Sequence, residues 1–71
     1  MADATEFGAW LKVERQAREL TQAEIAAAIG VSPNTVARWE RGEVTPSPLT
    51  QAGIRQALAD NDKRKGKGKR G

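Results

Sequence analysis

Seventy-one residues with 12 Lys and Arg, 9 Asp and Glu, no His and no Cys leave no route to disulfides, thiolate metal sites or histidine chemistry. A chain this short makes one domain at most and buries too little to hold both a catalytic site and a substrate pocket. The net charge of +3 is unevenly placed. Lys63, Arg64, Lys65, Lys67, Lys69 and Arg70 all follow Asp62, which leaves six basic residues against all nine acidic ones in residues 1–62, net −3.

The N-terminus, MADATEFGAW, has acidic residues where a signal peptide carries basic ones and lacks an apolar h-region. No apolar run approaches the roughly 20 residues of a membrane span. The expectation is a soluble, cytoplasmic protein that needs no cofactor or metal and is not an enzyme.

The first helix is expected over residues 5–19. Asp3 and Glu6 stand at capping-box spacing, with Thr5 a rival cap. Phe7, Leu11, Arg15 and Arg18 share a face, flanked by Trp10 and Ala17. The second helix opens with the capping box Thr21-Gln22-Ala23-Glu24 and closes at Gly30, where a left-handed residue ends a helix. The third begins with Ser32 as cap and Pro33 at the first helical position, and Gly42 stops it. Ser47 and Pro48 repeat that start for a fourth helix reaching about Ala59. Its broad apolar arc of Leu49, Gly53, Ile54, Ala57 and Leu58 closes the core, with any remainder free to meet a second subunit. Residues 61–71 have no apolar side chain to bury and are expected to be disordered. The fold class is therefore all-α: a compact domain over residues 1–60 and a basic tail over 61–71.

Function is sought between residues 21 and 41. Two short helices joined only by Gly30-Val31-Ser32 must cross steeply, as in a helix-turn-helix. Ile25, Ile29, Val31, Val36 and Trp39 would converge on one core, with Ala26 small where the helices approach. Pro33, Asn34, Ala37, Arg38 and Arg41 then face outward. Asn34 and Arg38 are one turn apart; Asn suits bidentate reading of adenine and Arg of guanine. On periodicity alone the same residues make an ordinary solvated face.

The stretch LTQAEIAAAIGVSPNTVARWERGEVTP resembles the helix-turn-helix of the phage repressor and Cro family, the XRE-like regulators. The resemblance covers about residues 7–59 and rests on L-T-Q at 20–22, Ala26, Gly30-Val31-Ser32, Thr35-Val36, Trp39-Glu40, Gly42 and Pro46. It implies a sequence-specific regulator, most simply a repressor, that binds an inverted-repeat operator in double-stranded DNA as a homodimer. Ala23 and Ala27 stand on the outer second helix where activators of the family often carry acid. In such a protein Thr21 and Gln22 are DNA-binding residues, with Gln22 bonding a phosphate. Ser32, Pro33, Asn34 and Arg38 lie at base edges, Thr35 and Arg41 touch backbone, and Arg15 and Glu40 form a buried ion pair. Pro33, Glu19 and Glu14 depart from the pattern: Pro33 replaces a polar base reader, Glu19 a helix-ending glycine and Glu14 an apolar residue. A fifth helix, common in the family, is absent or unrecognisable.

Lys63, Arg64 and Lys65 are candidate phosphate contacts, though the tail could equally serve solubility. Rival readings are an antitoxin-like autoregulator with a protein partner, and an RNA-binding protein acting through the tail and Trp10.

Overall fold

The computed structural model describes the backbone of residues 4–70 and the side chains of residues 6–63. It contains four helices, α1 (Ala4–Ala17), α2 (Gln22–Ile29), α3 (Pro33–Glu40) and α4 (Pro48–Arg70), and no strand among the described residues. Asp3 and the side chain of Thr5, the expected caps of α1, lie outside the described residues.

The helix α1 stops two residues before the expected end at Glu19. Leu20 N–H donates to the Arg15 carbonyl at 3.1 Å and Glu19 N–H to that of Gln16 at 3.0 Å. This paired closure needs a left-handed residue, and Glu19 supplies it at φ 58°, the one non-glycine among the described residues with positive φ. The site thus has the backbone of a helix-ending glycine without the glycine, a strain of about 1 kcal/mol. The same closure recurs twice with glycine in place. At α2, Gly30 (φ 89°) lets Val31 N–H reach the Ala26 carbonyl at 3.0 Å. At α3, Gly42 (φ 79°) lets Glu43 N–H reach the Arg38 carbonyl at 3.0 Å.

The starts follow the sequence closely. Thr21 Oγ1 accepts from Glu24 N–H at 3.0 Å, and Glu24 Oε1 accepts from Thr21 N–H at 2.8 Å, a complete capping box. Ser32 accepts from Thr35 N–H, and Ser47 from Thr50 N–H, both at 3.2 Å, each followed by proline.

One core joins the helices: Phe7 and Leu11 of α1, Ile25 and Ala26 of α2, Val36 and Trp39 of α3, and Ile54 and Leu58 of α4. Ile29, Val31, Trp10, Leu20 and Ala57 pack half-buried around it. The α3 helix lies against α2 and α1, and α4 against α2. Two of the five residues assigned to the apolar arc of α4 stay outside: Leu49 is 83% exposed, and Gly53 is also exposed.

The close approach of α1 to α3 depends on Gly8, which is buried. A Cβ there would stand 2.8 Å from the Glu40 carbonyl oxygen and nearer still to that of Trp39. Both are backbone atoms, so no side-chain rotation relieves the contact.

The fourth helix continues past Ala59 to Arg70, a correction to its expected end. No proline or glycine interrupts residues 59–65, and extending an existing helix needs no new nucleus. Basic residues also suit the negative end of the helix dipole. Arg18 clasps the turn around Asp62, donating from Nε at 2.7 Å and Nη2 at 2.8 Å, while its Nη1 donates to Glu14. These partners, Asp62 first, raise the Arg18 pKa. Leu58 remains the last buried residue among the described side chains.

Candidate nucleic-acid interface

The helix α3 has two unlike faces. Val36 and Trp39 are 0% and 5% exposed and anchor it to the core. That burial removes Trp39 as a stacking platform for single strands. Pro33, Asn34, Arg38 and Arg41 are exposed, and positions 34, 38 and 41 form a single stripe. Eight residues make a rod about 12 Å long, a length that fits the major groove. Ser32 is exposed at its N-terminus, and Thr35 is half-buried. Their hydroxyls lie 3.0 Å apart, so one proton of the pair stays available to an outside acceptor.

The orientation of this rod is set from behind. Arg15 of α1 donates from Nε to Glu40 Oε2 at 2.6 Å and from Nη2 to Glu40 Oε1 at 2.9 Å, a fork on one carboxylate. Its Nη1 donates to the Leu20 carbonyl at 2.9 Å, which ties the same guanidinium to the end of α1. Gln22 Nε2 adds a third bond to Glu40, at 3.1 Å. One carboxylate therefore joins the first three helices. Burial pushes the Glu40 carboxyl up, but the bonds from Arg15 and Gln22 and the charges of Arg15 and Lys12 outweigh it and hold it below its ordinary range. The bond to Glu40 correspondingly raises the Arg15 guanidinium.

Gln22 stands at the first position of α2 beside the exposed cap Thr21. With one amide N–H held by Glu40, it keeps its second N–H and its carbonyl for another partner. The structure thus gathers Gln22, Pro33, Asn34, Thr35 and Arg38 on the two helices of one helix-turn-helix unit, with Thr21, Ser32 and Arg41 at their caps. Lys63 is exposed on α4, and the side chains of Arg64 and Lys65 lie outside the described residues.

A helix-turn-helix family matches residues 11–58, which is more than half of the chain. The chain belongs to that family, in its XRE-like branch. Members of this helix-turn-helix family are DNA-binding domains. Two curated relatives are similar over about the same stretch. A type II methyltransferase, M1.ScrFI, of Lactococcus lactis subsp. cremoris is 42% identical over 53 residues, covering 70% of this chain and 14% of the relative. An (S)-2-hydroxypropylphosphonic acid epoxidase of Streptomyces wedmorensis is 40% identical over 50 residues, covering 70% of this chain and 25% of the relative. The helix-turn-helix chain therefore spans a quarter or less of the length of either. No solved structure matches it significantly.

Four positions of the helix-turn-helix unit or its supports escape a reading of the sequence. Gly8 looks like a weak point inside a helix and is a packing requirement; an isolated helical glycine is itself the available signal. Asp62 pairs with Arg18 across 44 positions, and no local pattern announces that. Arg55 lies over the Trp10 ring, 4.8 Å from its centroid, and Phe7 tilts against the same ring at 5.5 Å. Trp10 is thus a covered, half-buried ring, which counts against an RNA-stacking role. The fourth is Glu43. Its Oε2 accepts from Arg41 Nε at 2.6 Å, and its Oε1 lies 3.5 Å from Arg38 Nε. The Arg41 bond, then the charges of Arg41 and Arg38, hold the Glu43 carboxyl below its ordinary range, and the bond to Glu43 and its charge raise Arg41.

Among the described residues no group of carboxylates could hold a metal ion, and no helix is long and apolar enough to cross a membrane. A groove of about 470 Å³ between α2 and α4, lined by Leu20, Ile25, Ala27, Ala28 and Ala57, contains a single carboxylate, Glu24.

Proposed function

We propose that this chain binds double-stranded DNA by laying α3 in the major groove, and that it acts as a sequence-specific transcriptional repressor. The observation that carries the reading is the stripe Asn34, Arg38 and Arg41, exposed on a helix whose opposite face is locked into the core. A polar edge held on a rigid scaffold is what base readout requires. Arg38 and Asn34 read base edges with Ser32 and Pro33, while Thr21, Gln22, Thr35 and Arg41 meet the backbone. Residues 1–60 act as the reading domain, and Lys63, Arg64 and Lys65 add sequence-independent phosphate contacts. Two copies bind an inverted repeat, because one helix covers only a few base pairs. The chain catalyses nothing itself in this reading; the two relatives named as enzymes are matched over a minor part of their length.

Selection of bound duplexes from a random library tests this directly. The expected product is an inverted repeat with half-site centres about 34 Å apart. One unrepeated half-site bound 1:1 contradicts the dimer, and no enrichment contradicts DNA reading.

A further inference from the structure

We propose that Glu43 is a specificity-determining residue: its carboxylate holds the guanidinia of Arg41 and Arg38 in the free protein and withholds them from non-cognate phosphate. The proposal rests on the reading of α3 as the DNA-reading helix.

Three observations carry it. First, the position of Glu43 is built rather than incidental. Gly42 closes α3 in the left-handed conformation, and Glu43 N–H is bonded to the Arg38 carbonyl at 3.0 Å. That closure sets the glutamate at the C-terminal turn, beside both arginines. Second, it reaches two cations with two oxygens, Arg41 at 2.6 Å and Arg38 at 3.5 Å. These are the last two members of the exposed stripe. Third, the location opposes the helix field, since a carboxylate at a helix C-terminus meets the negative end of the dipole. The two arginines offset that repulsion, so the carboxylate depends on them locally.

The consequence differs between kinds of DNA. Non-specific binding is almost wholly the attraction of cations to phosphate. Each guanidinium must leave Glu43 to join a phosphate, and the freed carboxylate then faces the backbone at like charge. At the cognate site Arg38 instead gains a bidentate bond to guanine, which compensates for the exchange. Arg41 leaves Glu43 for a phosphate on the operator and on arbitrary duplex alike, so the difference between the two rests on Arg38. The carboxylate therefore lowers affinity for arbitrary duplex more than for the operator.

Binding of the full-length parent, Glu43→Gln and Asp60→Asn is measured on the selected operator and on a random duplex at several salt concentrations. Asp60 is exposed on α4 and bonded to Gln56, so Asp60→Asn removes the same charge away from α3. Glu43→Gln should raise affinity for the random duplex about tenfold, raise that for the operator about twofold or less, and steepen the non-specific salt slope by about one unit. Asp60→Asn should leave the ratio of the two affinities unchanged. Equal gains on both duplexes with Glu43→Gln, no gain on either, or the same change with Asp60→Asn overturn the proposal while the DNA reading stands. A parent that binds no duplex overturns the DNA reading, and this proposal with it.

Discussion

Glu40 and Glu43 stand three residues apart, and each accepts from an arginine Nε at 2.6 Å, yet the two pairs do different work. The side chains of Arg15 and Glu40 are 11% and 4% exposed; those of Arg41 and Glu43 are 55% and 46% exposed. Burial is what separates them. An enclosed pair cannot exchange its partner for water, so breaking it strands a charge. An exposed pair is screened and readily exchanged, so it adds little to stability and its arginine is free to change partners. The same bond thus builds the scaffold on one side of α3 and forms a releasable contact on the other.

The comparison can be broken most severely at Gly8. Gly8→Ala forces α1 away from the α3 backbone and pulls Arg15 from Glu40, with an expected loss of about 3 kcal/mol of stability in denaturant unfolding. The Glu43 contacts lie within the α3 turn and should survive in whatever fraction stays folded.

Glu40→Ala should cost roughly 3 kcal/mol, because Arg15 is left largely enclosed and unpaired. Acid gives a graded version of this change. The Glu40 carboxyl is depressed in the folded chain, so its contribution is fully present above its ordinary value of 4.5 and is lost as pH falls through the folded value. Thermal unfolding of the parent should therefore fall more steeply below about pH 4.5 than that of Glu40→Gln. Parallel curves would mean the pair adds nothing.

The exposed side is sharpened by removing residues 63–71. Binding should weaken on the order of tenfold on every sequence alike, with a flatter salt dependence and intact sequence preference. Loss of preference would show that the tail, not α3, discriminates.

The smallest effect is expected at Glu19, next to the Leu20 carbonyl that Arg15 holds. Glu19→Gly relieves the left-handed strain and should stabilise the fold by up to about 1 kcal/mol, leaving DNA binding unchanged.

Much of the fold was legible because its signals are local. The capping box at Thr21, the two Ser-Pro starts, and the glycines at 30 and 42 each act within a turn of the residue that carries them. The inward positions of α3 followed from periodicity. The extension of α4 was not legible, because it turns on a run without proline or glycine as far as Lys65 and on a clasp between Arg18 and Asp62, far apart in sequence. Gly8 and the contacts of Glu43 escaped for a related reason. One depends on the backbone of another helix; the other depends on a turn geometry that places a side chain back over the arginines before it.

The central claim is that α3 reads bases through Arg38 and grips the backbone through Arg41. It is tested most directly by measuring Arg38→Ala and Arg41→Ala against every single-base variant of the selected operator at two salt concentrations. Arg38→Ala should cost about 1–3 kcal/mol on the preferred site and relax discrimination at one base pair per half-site. Arg41→Ala should weaken all variants nearly equally and lower the salt slope by about one unit for each phosphate it no longer neutralises. If Arg38→Ala shifts every variant by the same amount, Arg38 touches backbone alone and the account is contradicted.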